Sequence, residues 1–218
     1  MNIIISLNRK LINWLGLTGL VAFVSYVAAV FFSPAAYLGY NWMAQAISDL
    51  SAEKSPSRIL WHQIAAFYGV CSVVCATCVT VFVSETRVHT KTFRMGIYMF
   101  AIMNWVSDVG YAMFPLSDSG KEITSFQEIM HIVVTALVVL LSIVSLVLLI
   151  VSTIRDRKTR GLGSWATVAL AMMMVGAIGQ KAVPPMYFGI VERFSVFAAV
   201  GFNAVLGCYL FNGFRSFR

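Results

Sequence analysis

The stretch Asn104–His131, NWVSDVGYAMFPLSDSGKEITSFQEIMH, decides the fold of this chain. It leaves one apolar segment, turns at Phe114-Pro115, crosses a short polar loop and enters a second apolar segment. On the way it places Asp108 inside an otherwise apolar run. Charges near hydrocarbon are costly and usually face a protein interior or a water-filled cavity. The stretch therefore predicts a polar corner in a membrane protein.

The composition of the whole chain supports a membrane location. Hydrophobic residues make up 59% and charged residues 11% of the sequence, and the mean hydropathy is +0.81. A soluble domain carries about 25% charged residues. Several apolar runs reach the length of about 20 residues that crosses a hydrocarbon core of roughly 30 Å. No basic patch interleaves with aromatic residues, so a lipid bilayer rather than nucleic acid is the predicted partner.

The apolar runs predict one all-α domain over residues 1–218, a bundle of six transmembrane helices. Their approximate bounds are 11–32, 59–83, 93–114, 125–153, 164–180 and 190–211. The first run continues without a small-residue cleavage site, so we expect it to be retained as a helix. Aromatic residues in the first long connection favour the membrane interface and predict a short interfacial or re-entrant helix over Trp42–Leu50.

The distribution of charge predicts the topology. Six helices put both termini on one side, and most of the 16 basic residues fall on that side: Arg9, Lys10, Arg87, Lys91, Arg94, Arg155, Arg157, Lys158, Arg160, Arg215 and Arg218. The positive-inside rule makes that side cytoplasmic, in a multi-pass protein of the cell membrane. Most acidic residues, together with His62 and His131, fall on the opposite side. This sorting suggests an outward-facing polar site.

Two groups of residues in the corner are candidates for chemistry. Asn104, Asp108 and Tyr111 share one helical face, and Glu128 and His131 have the i, i+3 spacing that supplies metal ligands in helix bundles. We predict catalytic roles for Asp108, Glu128 and His131. Two structural alternatives stay open. Asp108 can hydrogen-bond a neighbouring helix, and the pattern Ser-x-x-Glu that ends at Glu128 is typical of a capping box.

Further polar residues extend the candidate site. Arg193 can grip a phosphate or carboxylate with two parallel hydrogen bonds, and Arg193, Asn104 and Tyr111 are the predicted substrate-binding residues. A carboxylate and histidine set able to bind a divalent metal such as Zn²⁺, or to shuttle protons, comprises Asp49, His62, Asp108, Glu128, His131 and Glu192. Taken singly, these residues are also compatible with turns, caps and interfacial ion pairs.

Several short motifs resemble a known family. They are ISDL at Ile47–Leu50, Gly110 to Phe114-Pro115, His131 at the next helix start, and GIVER at Gly189–Arg193. Their order and spacing resemble the prokaryotic membrane family catalogued as domain of unknown function 998. The resemblance implies the six-helix fold and marks these motifs as positions of interest. It implies no established reaction.

Three functions are compatible with the sequence. The first is a membrane-embedded hydrolase that acts on a lipid or lipid-linked substrate, either with a bound metal or through a general acid and base. The second is a transporter or sensor for a small ligand or for protons, in which histidine titrates near neutral pH. Transporters often contain broken helices at mid-membrane, whereas the prolines here lie near predicted helix ends, which disfavours transport. The third is a scaffold that assembles with another membrane protein.

Overall fold

The computed structural model describes residues 10–87, 90–118, 125–154 and 159–214. Within these ranges every regular element is a helix and no strand occurs, which confirms the all-α prediction. The helices are α1 (Leu11–Leu15), α2 (Thr18–Phe32), α3 (Ser48–Ser51), α4 (Arg58–Ile64), α5 (Tyr68–Thr86), α6 (Lys91–Met113), α7 (Phe126–Thr153), α8 (Arg160–Ala182) and α9 (Phe188–Phe211). Short 3-10 turns lie at Ser33–Ala36, Ala65–Phe67 and Pro185–Tyr187.

Five helical stretches in these ranges are long and apolar enough to cross a membrane. They are Leu11–Ala36, Arg58–Thr86, Phe126–Thr153, Arg160–Ala182 and Pro185–Phe211. The shortest has 23 residues, roughly 34 Å of helix at about 1.5 Å per residue. Large apolar side chains on the outside, such as Phe31 at 73% exposed, suit contact with lipid. The chain is thus an integral membrane protein with several spans.

The remaining long helix, α6, differs from these five in composition. It has 23 residues, as many as α8, and lies against both α5 and α7. Polar residues such as Asn104 and Asp108 interrupt it, and it is not among the five apolar stretches. The predicted count of six spans therefore stays a prediction.

The second span is broken where the sequence predicts a continuous helix. The 3-10 turn Ala65–Phe67 separates α4 from α5 and releases the carbonyl group of Ile64 from its helical partner. The hydroxyl group of Ser25 on α2 donates a hydrogen bond of 2.7 Å to that carbonyl oxygen. On the same face the ring of Tyr26 packs on Tyr68, with centroids 4.5 Å apart. Contacts with α2 therefore compensate for the break.

The predicted interfacial helix over Trp42–Leu50 is wrong in extent. A short helix does lie in this connection, but it covers only Ser48–Ser51. Part of the backbone before it bonds to α9, because the carbonyl oxygen of Met43 accepts from the amide of Ile190 at 3.2 Å. The carbonyl oxygen of Gln45 is likewise taken by a side chain of α9. We call residues 37–47 the cap segment.

The long helices associate in two pairs. Gly110 of α6 packs directly on Val134 of α7, and small residues at such contacts let helix backbones approach closely. In the second pair, Gly179 of α8 packs on Val191 of α9. The largest side chains of the core lie between these pairs and α5: Phe93, Phe100, Leu149, Met173, Phe202 and Leu206.

The bundle has two distinct ends. One end carries the cap segment and residues 114–118, and we call it the polar end. The opposite end, the basic end, carries both described chain ends. There Phe214 stacks on Phe82 with centroids 5.8 Å apart, and Asn13 donates a hydrogen bond of 2.8 Å to the carbonyl oxygen of Leu210.

Near the polar end, α7 and α8 expose many of their side chains. The two helices meet at the basic end, where Gly163 packs on Thr153. Near the polar end, Val134 is the one buried residue among residues 132–137, and it faces α6. Residues 174, 175 and 178 of α8 are exposed as well. We call these exposed residues of the two helices the α7–α8 surface.

Candidate functional site

The turn at Phe114-Pro115 positions His131. Helix α6 ends at Met113, and the carbonyl oxygen of Phe114 lies 2.8 Å from Nδ1 of His131. Because a carbonyl oxygen only accepts hydrogen bonds, Nδ1 must carry the hydrogen. In the neutral ring the lone pair is therefore on Nε2, the nitrogen available to a proton or a metal. The side chain of Gln127 also holds the turn, donating to the carbonyl oxygen of Pro115 at 2.8 Å.

Glu128 closes the start of α7. One of its carboxylate oxygens accepts from the amide of Ser125 at 3.0 Å, and the hydroxyl oxygen of Ser125 accepts from the amide of Glu128 at 3.2 Å. This reciprocal pair is a capping box, so the structural alternative for Glu128 is confirmed. Its predicted catalytic and metal-binding roles stay predictions.

Tyr111 connects α6 with α7 and α9. Its ring lies beside that of His131, with centroids 5.0 Å apart. Its hydroxyl group donates to Thr135 at 3.1 Å, and Thr135 in turn donates to the carbonyl oxygen of His131 at 2.9 Å. Tyr111 also interacts electrostatically with Glu192. The structure thus brings Tyr111 and His131 together, with the charge of Glu192 nearby.

Two tyrosines that the sequence reasoning missed extend this cluster. Tyr26 of α2 packs on Tyr68 of α5 with ring centroids 4.5 Å apart, and the side chain of Tyr68 is hydrogen-bonded to that of Ser107 on α6. In the sequence, both residues are visible as hydroxyl groups within apolar helices. Like other polar groups in hydrocarbon, such hydroxyl groups are costly to remove from water.

Asp108 and Asn104 lie on the side of α6 that faces α5. The Asp108 carboxylate packs directly on Gly69, where an added Cβ would collide with it. Asn104 is 8% exposed, accepts from the hydroxyl group of Ser72 at 2.8 Å and donates to the carbonyl oxygen of Phe100 at 2.9 Å. Asn104 is therefore engaged in helix packing, and its predicted contact with substrate stays untested.

Arg193 is held by the cap segment. Its Nη1 donates to the carbonyl oxygens of Gln45 at 3.1 Å and Gly189 at 2.7 Å, and its Nη2 donates to the hydroxyl oxygen of Tyr40 at 2.7 Å. The guanidinium carbon also lies 6.0 Å from the ring centroid of Trp42. Three of its five N–H donors are thus used within the protein, which leaves two for the predicted anionic ligand.

Glu192 bonds the backbone at the end of the cap segment. One carboxylate oxygen accepts from the amide of Ile47 at 3.2 Å. Asp49 lies close enough to interact electrostatically with Glu192, and it accepts from the amide of Ala46 at 3.0 Å. Adjacent residues of α9 therefore fix neighbouring residues of one loop.

The cap segment lies close against α9 because Gly189 has no side chain. A Cβ at this position would collide with the carbonyl oxygens of Gln45 and Trp42. Tyr40, whose hydroxyl group donates to the carbonyl oxygen of Ala46 at 2.9 Å, strengthens the contact. Burial raises the pKa of Tyr40 above its ordinary value, against the opposing effect of the Arg193 charge. The hydroxyl group therefore keeps its proton and remains a donor at neutral pH.

The six predicted metal ligands do not converge on one point. His62 is exposed on α4, Asp49 and Glu192 lie at the cap segment, and the Glu128 carboxylate caps α7. In the part of the chain that the structure describes, no three His, Cys, Asp or Glu side chains lie close enough to hold a metal ion. These residues thus do not fit a three-ligand metal site in this arrangement.

Comparison with known families identifies a match. The model of a family described as a protein of unknown function, DUF998, matches residues 20–209. The comparisons with curated proteins and with solved structures give no match.

Proposed function

This chain belongs to the DUF998 family of unknown function, and on that premise we propose that it is a membrane-embedded hydrolase acting on a lipid or lipid-linked substrate. The reaction would take place at the polar end, around His131, Tyr111 and Glu192. In the same proposal α6 is a sixth span, both termini are cytoplasmic, and the polar end faces the outside of the cell membrane. The excess of basic residues at the opposite end supports this orientation.

The orientation of His131 carries the proposal. Its Nδ1–H is held by the carbonyl oxygen of Phe114 at 2.8 Å, which leaves Nε2 as the basic nitrogen. A histidine fixed in one tautomer by a second group is the arrangement that general bases use. The ring of Tyr111 lies beside that of His131, and the hydroxyl group of Thr135 bonds the backbone carbonyl oxygen of His131.

The chemistry follows from these groups without a metal-dependent step. Nε2 of His131 takes a proton from a water molecule whose oxygen forms a bond to the carbonyl carbon or phosphorus of the substrate. The bond to the leaving oxygen breaks, and a carboxylic acid, Asp108 or Glu192, supplies the proton that this oxygen needs. General acid–base catalysis of this kind contributes about 10²–10⁴-fold to the rate.

Access from the bilayer supports a lipid as the substrate. Because the α7–α8 surface near His131 and Thr135 is exposed, a head group could reach the site while its acyl chains stay in hydrocarbon. The exposed side chains of this surface, such as Leu137 and Ile178, are apolar and suited to contact with such chains.

Reconstituted protein tests the proposal. Proteoliposomes containing a panel of glycerophospholipids and lipid-linked phosphates would be assayed for released water-soluble products. His131→Asn keeps a donor for the carbonyl oxygen of Phe114 but removes the base, and Glu192→Gln keeps an acceptor for Ile47. We expect each to lower turnover by about 100-fold or more. The matched control is Tyr98→Phe, which removes a hydroxyl group bonded to Ser84 at the basic end.

Two results would contradict the proposal. One is no product from any lipid in the panel with folded parent protein. The other is full turnover in the His131→Asn variant. In both cases equal thermal stability of parent and variants establishes that the result concerns chemistry rather than folding.

A ligand-binding or proton-coupled role is the second candidate. It is favoured by the polar side chains that continue from Asp108 toward mid-bundle, where Asn104 and Ser72 are joined at 2.8 Å and Ser72 and Asn203 at 2.9 Å. Uptake driven by a pH gradient into liposomes, lost in Asp108→Asn, would place this role ahead of hydrolysis.

A further inference from the structure

A second polar feature lies on the outside of α4. A depression with a volume of about 390 Å³ is lined by Arg58, Ile59, His62 and Gln63. Arg58 and His62 are four residues apart, so they lie on one face of the helix, one turn from each other. Both side chains and that of Gln63 are exposed. The feature is separate from the cluster around His131.

The three polar side chains of this depression have no partner within the described ranges. Within these ranges the side chains of Arg58, His62 and Gln63 make no hydrogen bond, ion pair or ring contact, although other charges lie at the same end of the bundle. Lys54, the preceding basic residue, is instead paired with Asp118 at 4.0 Å. Arg58 is thus a cation at the start of a membrane span with its guanidinium group available to a ligand.

The surface next to the depression is apolar and faces outward. Ile59 is 73% exposed, Phe67 65% and Val70 68%, and they follow one side of α4 and α5 away from the polar end. Since Arg58–Thr86 is one of the apolar stretches that can cross the membrane, this side contacts lipid chains. The depression therefore lies where an apolar helix surface meets the polar interface.

We propose that Arg58, His62 and Gln63 bind the phosphate group of an anionic phospholipid, whose acyl chains lie along Ile59, Phe67 and Val70. Guanidinium groups bind phosphate through two parallel hydrogen bonds, and histidine and glutamine side chains add N–H donors. Basic pockets at the ends of membrane helices bind lipid head groups in this way. The site is independent of the hydrolase proposal, and it gives His62 a role in lipid binding instead of metal binding.

Native mass spectrometry of detergent-purified protein tests this site. The parent and its variants would be titrated with phosphatidylglycerol, and the dissociation constant of the tightest bound lipid would be measured. We expect Arg58→Ala to weaken binding by about tenfold or more, because charge-assisted hydrogen bonds are lost, and His62→Ala to weaken it less. Lys54→Ala, which removes the same charge nearby, should change it by less than about twofold. Equal affinity in the parent and Arg58→Ala would overturn the proposal.

A competition experiment distinguishes a lipid from a free phosphate compound. Glycerol phosphate carries the same phosphate group without acyl chains, so we expect it to displace the lipid only at far higher concentration. Displacement at concentrations similar to those of the lipid would overturn the lipid as the occupant. The melting temperature of Arg58→Ala should match that of the parent, because the Arg58 side chain is exposed and makes no hydrogen bond or ion pair within the described ranges.

Discussion

Arg193 on α9 donates a hydrogen bond of 2.7 Å to the hydroxyl oxygen of Tyr40 in the cap segment. The two residues are 153 positions apart in sequence. The same guanidinium group also bonds the carbonyl oxygen of Gln45, so one side chain holds both Tyr40 and Gln45. The cap segment is therefore attached to α9 through the planar guanidinium group of Arg193.

Replacing the guanidinium group of Arg193 by an ammonium group should weaken the attachment of the cap segment to α9. Lysine keeps the charge but has no planar fork, so Arg193→Lys cannot maintain the bonds to Tyr40 and Gln45 together. We expect a loss of about 2 kcal/mol in the free energy of unfolding and faster hydrogen exchange at residues 41–47. Arg160→Lys at the basic end is the control. An unchanged rate of hydrogen exchange in Arg193→Lys would show that the guanidinium group does not hold the cap segment.

Alkaline pH should loosen the same contact through Tyr40. Burial raises its pKa above the ordinary value, so between the unfolded and folded pKa values the native state binds more protons than the unfolded state. Stability is then complete below the unfolded pKa of about 10 and falls as pH rises through the folded value. We expect the fluorescence of Trp42 to change above about pH 10. Tyr40→Phe should lack this transition, and a transition of equal size in Tyr40→Phe would assign it to another group.

The local features of the fold could be predicted from the sequence. Apolar runs gave the positions of five spans to within a few residues, because crossing hydrocarbon requires about 20 apolar residues in succession. The capping box at Ser125 and Glu128 and the turn at Phe114-Pro115 are also local, since each depends on residues close together in the chain.

The features that depend on distant residues could not be predicted. No helix forms over residues 42–47, where the carbonyl groups of Met43 and Gln45 bond to α9, about 150 positions away. The break before Tyr68 likewise depends on Ser25 of another helix. Periodicity within one segment carries no information about such partners, and for the same reason it could not show which acidic residues converge.

A conservative change at Glu128 distinguishes a cap from a metal ligand. Glutamine preserves the capping box because its amide oxygen still accepts from the amide of Ser125, so Glu128→Gln should retain the stability of the parent. Glu128→Ala should lose about 1 kcal/mol in the free energy of unfolding. Thermal unfolding of the three proteins measures this difference, and analysis of bound metal accompanies it. Metal present in the parent and absent from a stable Glu128→Gln variant would establish the metal-ligand role instead.

Ser72 joins the two asparagines at the centre of the bundle. Its hydroxyl group donates to Oδ1 of Asn104 at 2.8 Å and accepts from Nδ2 of Asn203 at 2.9 Å. Asn203 is 1% exposed, and its Oδ1 has no hydrogen-bond partner within the described ranges. One acceptor of this network is thus unsatisfied in the native protein. We therefore expect the loss of a further hydrogen bond here to be costly.

Ser72→Ala should destabilise the protein far more than its size suggests. The change leaves Oδ1 of Asn104 without its donor in an interior that water does not reach, at a cost of about 1–3 kcal/mol. Nδ2 of Asn203 loses one of two bonds and keeps the carbonyl oxygen of residue 72 at 3.2 Å. Thermal unfolding in detergent measures the loss, with Ser164→Ala as the control, because that exposed hydroxyl group bonds only within its own helix. A double-mutant cycle with Asn104→Ala should give an interaction energy of at least about 0.5 kcal/mol. Equal melting temperatures for Ser72→Ala and Ser164→Ala would mean that water enters the bundle and replaces the lost hydroxyl group.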